Sequence, residues 1–224
     1  MSPLLPGRPA GRPVAAGLAL AGVAAAVLTG QGGLHTVVGC GIANDDLPSR
    51  TAQDWVTHAD HVVVATPTAE QDTGRREFTE GPLSHRTDRE VTFRNDELLW
   101  SAESPRRPLG KDFTMVADGW DVYRGSGDRV KRTTAAAPRL ETGHTYVLAL
   151  RWRDGRWTVL GEGAAVPFDD RTVAQGEWCG RVLSKEDVAR GERFSREDDT
   201  SLEEVLSGRD EQAVKRELDG ASGR

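Results

Sequence analysis

The chain has few of the residues that catalytic and metal sites usually need. Its 224 residues include only two cysteines and five histidines, and aromatic residues make up 6%. Two cysteines cannot form a four-thiolate zinc site, and neither has a CxxC neighbour. The sequence contains no phosphate-binding P-loop and no G-x-S-x-G nucleophile elbow. It therefore predicts no cofactor, no metal site and no catalytic residue, and it favours a protein that is not an enzyme.

Basic charge is scarce relative to acidic charge. The formal net charge is −6, and the first 40 residues carry Arg8 and Arg12 but no acidic residue. The rest of the chain is therefore more acidic than the whole. An acidic body repels nucleic-acid phosphates and anionic lipid headgroups. We expect no nucleic-acid partner, and membrane contact through the N-terminal segment only.

Long apolar runs are absent from the sequence except near the N-terminus. Residues 14–29 carry no charge and follow a stretch that contains two arginines, which is the layout of a secretory signal. The run reaches the length of about 20 residues needed to span a membrane only if it extends to Gly39. We expect residues 1–39 to be a signal peptide or a membrane anchor. The rest would then be secreted, or held at the cell membrane facing outward.

The two cysteines, Cys40 and Cys179, would then meet an oxidising environment, where an even number of cysteines favours pairing. A Cys40–Cys179 disulfide would tie the start of the exported part to the end of its core. The stretch "VVGC", which ends at Cys40, also resembles a relaxed bacterial lipobox, and this makes Cys40 a candidate lipidation site. A lipidated Cys40 has no free sulfur, so disulfide, lipid and two free thiols are competing interpretations.

Residues 40–180 predict a β-rich exported domain. The β-branched run "HVVVAT", at 61–66, predicts a buried strand that leads into a long exposed loop or an extended hairpin. In "REVTFRNDELLW", at 89–100, Leu98 and Trp100 continue an apolar alternation after a bulge or bend. We interpret residues 131–143 as a connector between strands.

A hairpin is the strongest local prediction. Asp154 and Gly155 form a dipeptide typical of type I′ turns, and this turn sets Trp152 opposite Trp157. The face that carries these indoles needs burial, which favours a small barrel or an antiparallel sandwich.

Helices are predicted at both ends of this domain. Ser49 is a candidate cap for a short helix in "TAQDWVTHA". Residues 181–224 predict a polar linker and a helical tail, in which Ser201 and Glu204 have capping-box spacing. Three residues of the first tail helix share one helical face: Leu202, Val205 and Leu206. The tail either docks on the barrel or stays loosely attached.

Several stretches carry a resemblance to known proteins. "WVTHADHVVVAT", "VTFRNDELLW" and "ETGHTYVLAL" are similar to uncharacterised exported proteins of high-GC, actinobacterial-type bacteria. The order of the strands is also similar to OB-like barrels, including those of metalloproteinase-inhibitor type. This likeness implies a single, partly closed five-stranded OB-like barrel, and it implies no activity.

These observations favour a non-enzymatic, envelope-associated module that binds a protein or another envelope component. Trp100, Trp120 and Trp178 are candidate residues of a ligand groove, although core packing is the competing interpretation. Two alternatives remain open. One is an inhibitor-like module that acts on an extracellular protease, and the other is an exported hydrolase whose site the sequence does not reveal.

Overall fold

A computed structural model of the protein describes residues 47–134, 137–194 and 200–223, together with the backbone of residues 37–41. The predicted signal or anchor segment lies outside the described residues, apart from the backbone of 37–39. Within the described part of the chain, no helix is long and apolar enough to cross a membrane.

The architecture is mainly β, as predicted, and is built on a seven-stranded mixed sheet. Its strands follow the order β1-β5-β4-β3-β2-β6-β7, and a further short strand, β8, pairs with β6. In chain order these strands are β1 (Val37–Gly41), β2 (His61–Glu77), β3 (Leu83–Ser101), β4 (Asp112–Tyr123), β5 (Arg129–Thr134), β6 (Tyr146–Arg153), β7 (Arg156–Val159) and β8 (Ala165–Pro167).

Two pairings within the sheet are parallel. One joins β1 to β5, and the other joins β4 to β7 at Met115 and Trp157. A separate antiparallel pair is formed by β9 (Gly176–Trp178) and β10 (Arg181–Leu183). The helices are α1 (Ala52–His58), α2 (Lys185–Ala189), α3 (Leu202–Leu206) and α4 (Glu211–Ser222).

The centre of the sheet is buried on both faces. Val62 and Val64 of β2 pack in one hydrophobic cluster, which α1, α3 and α4 complete, whereas Val63 and Ala65 pack in a second cluster on the opposite face. Successive side chains of a strand point to opposite faces, so burial of both faces requires a continuous apolar run. This explains why "HVVVA" shows no alternation of apolar and polar residues.

The hairpin prediction is confirmed in detail. Asp154 and Gly155 have φ values of 51° and 78°, as a type I′ turn requires, and Trp152 pairs with Trp157. The two indole rings meet nearly edge to face, with centroids 5.1 Å apart.

The long segment after "HVVVAT" is the extended hairpin that was one of the two predicted forms. β2 and β3 pair from His61 and Ser101 out to Glu77 and His85. From Thr68 to Glu77 every side chain of β2 is exposed, so this part of β2 leaves the hydrophobic core, whereas Val91 of β3, which pairs with Glu70, stays in the second cluster.

The predicted bulge before Leu98 is present at Asp96, because Val64 pairs with Glu97 and Ala65 pairs with Asn95. A second bulge, which the sequence did not predict, changes the placement of the leucines. Val62 pairs with Trp100 and Val63 pairs with Leu98, so Leu99 is the extra residue. Leu99 is 7% exposed and joins the first cluster beside Trp100, whereas Leu98 is 48% exposed. The bulge turns Leu99 inward, because an extra residue shifts the alternation by one position.

Three further expectations are corrected. The predicted connector contains the end of β5, which pairs with Trp120 of β4. Thr51 caps α1 in a capping box with Asp54, because Ser49 lies too far before the first turn. In the tail, Leu202 and Leu206 are buried as predicted, but Val205 is 56% exposed.

The C-terminal helices dock on the body of the protein. Ser201 caps α3 as predicted, and Val214 and Leu218 of α4 are buried in the first hydrophobic cluster. Lys215 of α4 also forms an ion pair of 2.6 Å with Glu97 of β3. Of the two forms predicted for the tail, the docked one is therefore observed.

The two adjacent leucines give a direct test of the bulge. We expect Leu99→Ala to lower the free energy of unfolding by about 2–4 kcal/mol, because it leaves a cavity in the core. Leu98→Ala, the matched control, should cost less than about 1 kcal/mol because its side chain is half exposed. Urea unfolding of both variants measures the difference, and equal losses would contradict the observed register.

Candidate functional site

The structure places the three predicted groove residues in different surroundings. Trp100 is buried in the first hydrophobic cluster, and Trp178 stacks on Phe194 in a small third cluster, with ring centroids 5.6 Å apart. Trp120 is half-buried and belongs to neither cluster. The fold does not bring the three indoles together.

The cysteine predictions concern residues at the margin of the described chain. The backbone of Cys40 pairs with that of Thr133 where β1 runs beside β5, and Cys179 lies between β9 and β10 with a φ of 52°. The side chain of Cys40 lies outside the described residues. The disulfide with Cys179 and the lipidation of Cys40 both remain predictions.

The most strongly constrained polar group on the sheet is the carboxylate of Asp60, at the junction between α1 and β2. Its side chain is 3% exposed. One oxygen accepts the backbone N–H of Arg106 at 2.9 Å, and the other accepts the backbone N–H of Trp152 at 2.7 Å. The Arg106 guanidinium donates to both oxygens at 3.2 Å.

The environment of Asp60 keeps it ionised. Burial by itself raises the pKa of the Asp60 carboxyl, but the hydrogen bonds from Arg106 and Trp152 outweigh it and hold the pKa below its ordinary value. A buried carboxylate is tolerated only when donors satisfy it, and here they come from two separate connections. Asp60 therefore fixes the β3–β4 connection against the β6–β7 hairpin.

The neighbouring residues strengthen this junction. A ring nitrogen of His61 lies 2.9 Å from the carbonyl oxygen of Arg107, and the Arg107 guanidinium lies 4.4 Å from the centroid of the Trp152 ring. A cation over an indole face is attracted by the ring quadrupole. The β3–β4 connection, which is exposed at Arg106 and Arg107, is therefore held in one position over the hairpin.

These two segments concentrate positive charge on an acidic protein. We call the following five residues the arginine rim: Arg106, Arg107, Arg151, Arg153 and Arg156. Arg153 and Arg156 stand directly opposite each other across the hairpin, an arrangement that like charges disfavour. Asp154, which is 74% exposed, lies 3.4 Å from Arg153. The two segments also carry two exposed carboxylates, Glu103 and Asp154. Arg151, Arg153 and Arg156 alternate with the two indoles and therefore point to the opposite face of the hairpin.

A second polar network is buried beneath the connection that precedes β6. Arg89 and Arg139 each have a side-chain exposure of 1%. Arg89 pairs with Glu70, and Arg139 pairs with Glu141 at 2.8 Å. Burial, together with the charge of Arg89, lowers the pKa of Arg139 to about 10. Both guanidiniums also donate to the backbone carbonyl group of Asp118, so they stabilise the bulge that β4 forms at Asp118 and Gly119.

A histidine–carboxylate pair lies next to this network. His144 Nδ1 is 2.6 Å from Asp169, whose other oxygen accepts the backbone N–H of Thr145. The hydrogen bond that the His144 ring donates to Asp169 raises the pKa of His144. Such a pair can orient a general base, but here both oxygens of Asp169 hold the start of β6 against the turn after β8. The arrangement has a structural role.

Glu177, in β9, is the nearby carboxyl group with an unusual environment. Burial raises the pKa of the Glu177 carboxyl. The hydrogen bond from the Gly180 N–H lowers this pKa, whereas the negative charge of Glu141 raises it further. Among the described residues, no cluster of three or more histidine, cysteine, aspartate or glutamate side chains could hold a metal ion. The carboxylates of this region are used in hydrogen bonds and ion pairs.

Sequence reasoning missed Asp60 and the arginine rim. "HADH", which contains Asp60, attracts attention as a metal-ligand pattern, whereas the observed partners of Asp60 are Arg106 and Trp152. The usable signal was the run of arginines in "RWRDGR" and "PRRP" within an acidic chain. Nothing in the sequence indicates that these two segments meet.

Comparison with known proteins adds no assignment, because no protein-family model matches the chain and no curated protein matches it significantly.

Removal of the Asp60 charge tests the junction. We expect Asp60→Asn to lower the free energy of unfolding at pH 7 by about 2–3 kcal/mol, the range for hydrogen bonds to a charged group. Because its pKa is lowered in the folded state, the contribution of Asp60 is present above its ordinary value of 3.8 and is lost as the pH falls below it.

Urea unfolding at several pH values measures this effect. The difference in free energy of unfolding between the original protein and Asp60→Asn should persist from neutral to mildly acidic pH. It should become smaller when the pH falls below the ordinary pKa of an aspartate. Asp154→Asn is the matched control, since that carboxylate on the same hairpin is 74% exposed and should change stability by less than about 0.5 kcal/mol. A difference that does not vary with pH would contradict the proposed role of Asp60.

Proposed function

We propose that the protein is an exported, non-enzymatic interaction module that uses the arginine rim to bind an acidic segment of a partner protein. The observation that carries the proposal is the double anchorage of Asp60, which holds two exposed, arginine-bearing segments side by side. Binding to a rigid surface avoids much of the entropy cost of ordering loops.

The chemistry of the rim supports a protein partner. Arginine and tryptophan are the residues most enriched at the energetic centres of protein interfaces. Here Arg107 stacks on Trp152, which is only partly buried. Guanidinium groups bind carboxylates in a bidentate manner, so a segment that alternates acidic and apolar residues matches the rim. Because the rest of the protein is acidic, this local positive charge also favours one orientation in which an acidic partner approaches the rim.

The fold that we propose for this module is an OB-like barrel of β2, β3, β4, β6 and β7. Support comes from the antiparallel run β4-β3-β2-β6-β7 and from the parallel contact between β4 and β7 at its two ends. Barrels of this type place loops at the ends of their strands, and the rim lies on the β3–β4 connection and on the strand ends that flank the β6–β7 turn.

Export and the Cys40–Cys179 disulfide belong to the same proposal. The charge-free run of residues 14–29 supports export, and a single pair of cysteines supports bridging in an oxidising compartment. A bridge would connect edge strand β1 with the β9–β10 turn.

Binding to a defined peptide tests the function. The probe is a fluorescent peptide of glutamates interspersed with leucines, titrated against the purified full-length protein. We expect the double variant Arg153→Glu/Arg156→Glu to weaken binding by about tenfold or more, and we expect added salt to weaken binding of the original protein. Arg209→Glu/Arg216→Glu makes the same change of charge on exposed arginines of the tail and should bind normally.

Two results would contradict this proposal. One is an equal loss of binding in both double variants, which would indicate a response to net charge alone. The other is a protein that binds an anionic polysaccharide and leaves the peptide unbound, since the partner would then not be a protein segment.

The intact mass of the protein, recovered from membrane and medium fractions, tests export and the state of Cys40. We expect a chain cut before Cys40, or the full chain in the membrane fraction. In either case its mass should lack two hydrogen atoms, which reductant restores. A diacylglyceryl increment on a chain that begins at Cys40 would exclude the disulfide. A full-length chain with two free thiols in the cytoplasm would overturn the export proposal.

A further inference from the structure

The outer half of the β2–β3 hairpin and the β4–β5 turn enclose a cleft of about 500 Å³. Clefts of this size can hold a small molecule. Nine residues line it: Asp72, Thr73, Gly74, Arg75, His85, Thr87, Val122, Gly127 and Arg129.

Cationic side chains outnumber anionic ones in this cleft. Arg129 donates to Asp72 at 2.8 Å, and its guanidinium lies 4.6 Å from the centroid of the Trp120 ring. A guanidinium has five N–H donors, and no second acceptor for Arg129 is found in the described part of the chain. Arg75 also lines the cleft, although it pairs with Glu77 at 2.5 Å. Donors therefore remain for a further oxygen ligand.

We propose that this cleft binds a small oxyanion, a carboxylate or phosphate group, through the guanidinium of Arg129. His85 and Arg75 supply further N–H donors at the walls, and Val122 accommodates the carbon atoms next to a carboxylate. Asp72 shares Arg129 with the ligand and competes with it. The site does not depend on the arginine rim, so it can exist whether or not the rim binds a protein.

Nitrogen–proton correlation spectra of the full-length protein test the site with two separate probes, inorganic phosphate and succinate. We expect saturable shifts of the backbone amides of Gly74 and Gly127 with at least one probe, at millimolar concentration or below. A comparison of the two titrations identifies phosphate or carboxylate as the preferred group. Shifts confined to other regions, or no saturable shift with either probe, would overturn the proposal.

Three variants should change the affinity for the oxyanion in different ways. Arg129→Gln should weaken binding by about tenfold, the range expected for loss of a charged hydrogen bond. Asp72→Asn should tighten it, because the competing carboxylate is removed. Arg76→Gln is the matched control: Arg76 follows Arg75 in the same strand and points to the opposite face. Equal weakening by Arg76→Gln, or weaker binding by Asp72→Asn, would overturn the assignment.

Discussion

The buried carboxylate of Asp60 is the interaction on which the surface of this protein depends most. Its donors, the backbone N–H groups of Arg106 and Trp152, come 46 and 92 positions after it in the chain. A charged group in this position requires all of its donors, since a missing one would leave an ion buried without compensation. The positions of Arg107 and Trp152 follow from this requirement.

The sheet divides the molecule into a packed part and an exposed part. β2 and β6 pair along His61–Ala65, where helices cover one face and the second hydrophobic cluster covers the other. Beyond Pro67, β2 pairs with β3 alone and its side chains are exposed. Segments with few buried contacts open more easily than the core. The proposed oxyanion cleft therefore lies on the more deformable part, and the arginine rim on the part fixed by Asp60.

The structure also shows that arginines in similar stretches of sequence have different roles. Arg106 and Arg107 lie beside each other on an exposed connection, whereas Arg89 and Arg139 are buried and donate to carbonyl groups. All four are arginines in polar stretches of sequence, and composition does not distinguish them. Their surroundings do, because a guanidinium is buried only where carbonyl and carboxylate oxygens are already positioned to accept its hydrogen bonds.

The sequence by itself determined the features that depend on a few neighbouring residues: the Asp154-Gly155 turn, the cap at Ser201, the buried run of β2, the bulge before Leu98 and the β-rich class of the domain. It did not determine which leucine enters the core, that β5 exists, or that the candidate groove residues Trp100 and Trp178 lie in separate clusters. Nor did it indicate that Asp60 joins two connections, or that a cleft forms beside Arg129. Turns, caps and runs are set by local backbone preferences, whereas these other features depend on strand register and on contacts between segments distant in sequence, which only the folded chain brings together.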